Sequence, residues 1–130
     1  MIKNKCILIF VILLVLGGCK KKPFDYRNKY IGDWKFNVHI IEQNMDSVGS
    51  NVNDTFVYVG NIEYGTSSDE ILINYTSDDD VMLEIDKNGV VTTNLGFGHC
   101  TFISDENVEI KLNWGGLGAY VIHEISGLKM

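Results

Sequence analysis

From residue 32 onward, apolar and polar side chains alternate. Trp34, Phe36, Val38 and Ile40 alternate with Lys35, Asn37 and His39, and Phe56, Tyr58, Ile62 and Tyr64 share one parity. Ile71–Tyr75 is a short apolar run. Val81, Leu83 and Ile85 alternate with Met82, Glu84 and Asp86. Val90–Asn94, His99–Ile103, the Val108–Trp114 alternation and Tyr120–Ile125 complete the pattern. A period of two marks strands with one buried face, and no helical period competes with it after Cys19. Asn88-Gly89 predicts a type I′ hairpin turn, since both residues tolerate a positive φ. The turn-rich clusters 65–69, 77–80, 104–107 and 115–118 separate the runs. About eight strands at this spacing predict an all-β antiparallel meander. Closure into a small barrel would remove its exposed edges. One connection, Gln43 to Asp54, is long and polar, and such a segment is either a lid or simply mobile.

The N-terminus follows a different pattern. Lys3 and Lys5 precede an unbroken apolar run from Cys6 to Leu16. This suits the core of a signal peptide and is shorter than the roughly 20 residues a membrane span needs. Leu16-Gly17-Gly18-Cys19 follows and resembles the lipobox of bacterial lipoprotein precursors. The resemblance implies cleavage after Gly18 and lipidation of Cys19. An ordinary signal peptide, or a single anchor helix with an incidental cysteine, is the alternative. The expected organisation is a signal peptide over 1–18, a lipidated basic tether over 19–29 and a β-barrel domain over 30–130. Lys20, Lys21 and Lys22 would sit at an anionic lipid surface, at about 1 kcal/mol each.

Composition narrows the picture further. The 130 residues have room for one domain. All 17 acidic residues follow Pro23, against Arg27, Lys29, Lys35, Lys87, Lys111 and Lys129 as the basic ones. With a pI of 4.9 and one arginine, nucleic acid is not an expected partner. Of three cysteines, Cys6 would leave with the signal peptide and Cys19 would carry lipid. Cys100 would then be alone, and it shares its parity with Phe102, as a small core residue would. The domain must therefore hold together without disulfides.

Tyr30-Ile31-Gly32-Asp33-Trp34-Lys35-Phe36 resembles the Gly-x-Trp opening of the first strand in lipocalins and related calycin barrels. The resemblance implies an eight-stranded barrel with a cavity smaller than usual, given the short chain. It also implies a basic residue capping the Trp34 ring near the last strand, for which Lys129 is the candidate. Small lipocalin-like lipoproteins of bacterial envelopes are the better comparison. They imply attachment to a membrane, the outer one where the organism has two.

Reactive chemistry is sparse. His39, His99 and His123 are the only histidines. Pairing of the first and last strands would bring His39 and His123 near each other, yet His39 has outward parity. His99 and Cys100 are adjacent on a strand and point to opposite faces. Asp78-Asp79-Asp80 has the charge for a hard cation but no EF-hand spacing, and a solvated hairpin tip is the better reading. Gly115-Gly116-Leu117-Gly118 lacks the helix and Lys of a phosphate loop. No catalytic, metal or cofactor site is expected. Trp34, Phe36, Phe56, Tyr58 and Tyr64 all have inward parity. They either line a pocket for a small apolar ligand or fill a narrow barrel. The functional expectation is a non-enzymatic, lipid-anchored envelope protein that binds a small hydrophobic molecule or a protein partner. The alternative is an acidic interaction module with a filled barrel and no ligand cavity.

Overall fold

Alternation becomes a single antiparallel sheet in the computed structural model, which describes residues 21–45 and 51–130. The signal peptide, Gly18 and Cys19 lie outside the described residues. The strands are β1 (Gly32–Asn44), β2 (Val52–Tyr64), β3 (Glu70–Asn74), β4 (Asp80–Glu84), β5 (His99–Ser104), β6 (Asn107–Gly116) and β7 (Ala119–Lys129). Their order in the sheet is β4-β3-β2-β1-β7-β6-β5. The first and last strands pair over a long register, from Trp34 opposite Lys129 to Asn44 opposite Ala119. This is the all-β antiparallel meander expected from the sequence.

The sheet has one apolar face and, among the described residues, no α-helix to cover it, so it curls onto itself. One continuous core joins Ile71, Leu83 and Ile85 from one end of the strand order to Cys100, Val108, Ile110 and Leu112 from the other. The result is a curled half-barrel in which β4 and β5 remain unpaired with each other.

Seven strands are present among the described residues where eight were expected. The segment 90–94 makes one bridge, Ile85 to Val91, instead of a ladder. Gly89 N–H bonds Asp86 O at 3.0 Å with Gly89 at φ 80°, while Asn88 keeps a negative φ. That is a three-residue hairpin loop with a left-handed glycine, not the expected type I′ turn. The returning chain stays beside β4 only briefly, through Asp86 N–H to Val90 O and Thr92 N–H to Glu84 O, both at 2.9 Å. Segment 90–98 still covers the seam. Val91 and Leu95 pack on the core, Thr92 N–H reaches Glu84 O at 2.9 Å, and Asn113 Nδ2 reaches Phe97 O at 3.0 Å.

β1 and β2 run beyond the core with polar residues, so their connection is 45–51 and shorter than the expected Gln43–Asp54 loop. β7 likewise extends past Ile125 to Lys129, where Gly127 makes room for the Phe36 ring. A Cβ at Gly127 would come within 2.8 Å of that ring.

Part of the stretch expected as tether is packed onto the barrel. Tyr26–Lys29 forms a turn of 3-10 helix capped by Asp25, and it closes one end. Tyr26 OH donates to Ile85 O at 2.7 Å, and Lys129 Nζ donates to Lys29 O at 2.6 Å. Arg27 is fully buried in this plug. It pairs with Asp25 at 2.5 Å and donates to Ser67 O and Glu70 O at 2.9 and 2.7 Å. Its guanidinium lies 4.8 Å from the Tyr64 ring centre. Every face of the buried charge thus has a partner, which burial of an arginine demands.

Candidate functional site

The five aromatic residues read as either lining a pocket or filling the barrel do not share a cavity. Trp34 and Phe36 are fully buried and stacked, with ring centres 6.3 Å apart. Trp34 Nε1 donates to Tyr30 O at 2.8 Å, and Phe102 meets its edge. Lys129, the expected cap for Trp34, is spent on the Lys29 carbonyl. Phe56 and Tyr58 pack half-buried against the core. Tyr64 belongs to the plug, where its hydroxyl donates to Asn28 Oδ1 and accepts from Lys22 N–H. None of the five lines any of the cavities described here.

The hollow part is the opposite end. Inward parity along β1 carries on past Ile40 to Glu42, along β6 to Trp114, and along β7 back through His123 to Val121. The β3–β4 turn adds Asp79. Glu42, Asp79, Trp114, Val121 and His123 line an open depression of about 300 Å³. His123 is buried; its Nδ1 is 2.9 Å from Tyr75 OH, and the Trp114 ring meets it edge-on at 4.8 Å. Burial holds the His123 imidazole below its ordinary pKa, with Asp79 and Glu42 pulling weakly the other way. Burial also pushes the Tyr75 phenol well up.

Asp79 is held in place by its own turn. Thr76 Oγ1 accepts from Asp79 N–H at 2.8 Å and donates to Asp79 Oδ2 at 2.9 Å. The Asp78–Asp80 run is therefore split, with Asp79 half-buried at the pocket while Asp78 and Asp80 face solvent. Glu42 makes no hydrogen bond or ion pair among the described residues. Next to the pocket, Asn113 Oδ1 is the one buried side-chain polar atom among the described residues that lacks a partner.

Large apolar side chains ring this end. Met45, Phe97, Trp114 and Leu117 are all exposed. The β6–β7 hairpin carries Leu117 at its tip, with Gly115 and Gly118 at positive φ. Met45 N–H bonds Gly118 O at 2.7 Å, so the β1–β2 connection starts against that hairpin. Phe97, Trp114 and Tyr120 line an adjoining hollow of about 400 Å³.

The outer face carries a second, polar groove of about 430 Å³. Register places Thr55, His39, Glu124, Lys111 and His99 in one row across β2, β1, β7, β6 and β5. Glu124 takes a hydrogen bond from Lys111 at 2.9 Å and lies 3.3 Å from His39. His39 Nε2 is 2.8 Å from Asn53 Oδ1. Both ring nitrogens face acceptors, chiefly Asn53 and then Glu124, which raises the His39 pKa. His39 and His123 thus sit on paired strands and on opposite faces, as parity predicted. Among the described residues, no three His, Cys, Asp or Glu side chains converge on a metal-sized site. Cys100 is buried in the core, its thiol pushed up to about 12 by desolvation.

Sequence reading missed the pocket because its members come from four separate segments. The signal was there in Glu42, a carboxylate with inward parity at the end of an apolar alternation. No family model, curated protein or solved structure matches the chain.

Proposed function

We propose that this chain is a lipid-anchored envelope protein of lipocalin-like build that acts by binding, not catalysis, and that the open end of the barrel is its binding end. The observation that carries the reading is the contrast in apolar burial. The interior is filled from Tyr30 to Val38, while Met45, Phe97, Trp114 and Leu117 stay exposed at or beyond the far ends of β1 and β6 and in the segment before β5. Contiguous exposed apolar groups on a small domain mark interaction sites. A filled interior favours a protein partner at the rim over an apolar molecule within the barrel.

The anchor fits this arrangement. Lys22 is bonded to Tyr64 at the plugged end, and three residues back to Cys19 span at most about 10 Å. A lipid on Cys19 would hold the plugged end at the membrane and turn the open end outward. Phe24, fully exposed beside Lys21 and Lys22, suits a lipid interface. Envelope location and the outer membrane follow from the lipobox resemblance.

Site-specific photo-crosslinking in cells tests the reading. A crosslinking residue at Leu117 of the full chain is expected to capture a discrete protein adduct, and one at Lys87 on the plugged end is not. Equal adducts from both positions, or none from Leu117, would contradict it. Cys19→Ser is expected to abolish acyl labelling and leave unprocessed precursor.

A further inference from the structure

The chemistry of the open-end pocket is more specific than its size. Its walls are two carboxylates, an indole ring, an imidazole and one aliphatic side chain. No lysine or arginine lines it. The ion pairs of the described residues are elsewhere, at Asp25, Asp105 and Glu124. Glu42 has no partner among the described residues, and Asp79 uses one of its oxygens on Thr76. Asn113 Oδ1, beyond the other side of Trp114, is a further acceptor without a donor. What the lining of this pocket lacks is a positively charged side chain.

Each other ligand class meets an obstacle here. An anion would face two carboxylates. A neutral apolar molecule would strip water from Glu42 and return nothing. A hard metal ion needs six or more oxygens, and no three ligating side chains converge. An organic ammonium group meets none of these. It would pair with Glu42 and Asp79, lay its carbon-bound hydrogens on the half-exposed Trp114 face, and rest its alkyl part on Val121. Acidic groups beside an indole are the usual means of holding such cations. About 300 Å³ is at the small end of ligand cavities and suits a short alkylammonium, not an acyl chain.

We infer that the pocket formed by Glu42, Asp79, Trp114, Val121 and His123 binds an alkylammonium group. This rests on the reading of the open end as the binding end. The group is supplied either by a free amine or by a lysine side chain of a partner protein.

The test is a titration of the full lipidated chain in maltoside detergent, which carries no ammonium of its own. Tryptophan emission and calorimetry are read with n-butylammonium, tetramethylammonium and Nα-acetyl-lysine methylamide, and with n-butanol and butyrate as controls. Saturable binding of an ammonium probe, weakened by salt and absent for both controls, is expected. Glu42→Gln should weaken it by about tenfold or more. Asp79→Asn should weaken it as well, and should its turn fail to fold, Glu42→Gln carries the test alone, with thermal melting as the check on folding. Tighter binding of the lysine derivative assigns the group to a protein, and tighter binding of a simple amine assigns it to a metabolite. Equal binding of n-butanol, unaltered affinity in Glu42→Gln, or no saturation by any probe would overturn the inference. Should Leu117 still crosslink a partner in that case, the open-end reading stands and only the ligand class falls.

Discussion

The two ends of this barrel solve the same packing problem in opposite ways. At the plugged end, large side chains are placed so that each has a neighbour. Tyr30 packs on Phe102 at 4.3 Å, Trp34 stacks on Phe36, and Arg27 spends its guanidinium on a carboxylate, two carbonyls and a ring. At the open end, residues of the same inward parity are Glu42, Trp114 and His123, and the space among them is not filled. One parity rule therefore yields a core at one end and a pocket at the other. What differs is the residues placed on it and the presence of a plug. A small domain with no disulfide must draw its stability from the filled half, which leaves the other half open to different chemistry.

The sharpest way to break the comparison is at Trp34. Trp34→Ala removes the largest fully buried side chain and should cost about 3–5 kcal/mol in denaturant unfolding. A loss below 1 kcal/mol, by the same cavity reasoning, would show that the plugged end is not the core.

Arg27→Met sharpens it next. The substitution leaves two carbonyls without a donor and Asp25 with only the backbone N–H of residue 27, and a loss of about 3 kcal/mol is expected from equilibrium unfolding. A neutral result would mean that 25–29 is a tether after all.

His123 separates the ends by pH. Its folded pKa lies below the ordinary imidazole value because it is buried. Between that value and about 6.5 the unfolded chain binds the extra proton, so stability should fall as pH drops below about 6.5. His123→Gln should flatten that limb of the urea-midpoint profile. His39 works in the other direction. Its folded pKa is raised, so its small contribution is present below about 6.5 and fades as pH rises through the folded value. A profile with the opposite slope below pH 6.5, or one that His123→Gln leaves unaltered, would place His123 in water.

The smallest effect belongs to the rim. Leu117→Ser exchanges an apolar side chain as Trp34→Ala does, yet Leu117 is fully exposed. Its unfolding free energy should stay within about 0.5 kcal/mol of the parent.

Much of the fold was legible in the alternation. Trp34 to Ile40 and Val108 to Trp114 gave strands and their inner face, and closure of the meander gave the pairing of the first strand with the last. What parity cannot express is length and depth. Asn44 and Asn53 lie in strand regions that run past the buried core, and polar residues there do not announce a strand. The eighth strand is missing because the chain after the turn pairs with β4 only as far as Thr92, and the alternation does not show where pairing stops. Arg27 read as tether because a charge amid lysines looks solvated, and only its partners at Asp25, Ser67 and Glu70 make burial favourable. The aromatic set was right in direction and wrong in place: Trp34 and Phe36 lie deep where side chains meet, whereas the hollow begins beyond Ile40. Membership of the pocket depended on the β3–β4 turn aiming Asp79 inward, which Thr76 decides through local hydrogen bonds.

The contrast between a filled end and an open one is tested most directly by the chain's two tryptophans. Trp34 is fully buried and Trp114 is 48% exposed. Acrylamide quenching of the parent and of Trp114→Phe, which leaves Trp34 alone, reads the two ends separately. The account predicts that Trp114→Phe removes the quenchable, red-shifted part of the emission and leaves a blue-shifted signal that acrylamide barely touches. Strong quenching of Trp34 in that variant would contradict it, because the filled end would then be open to solvent.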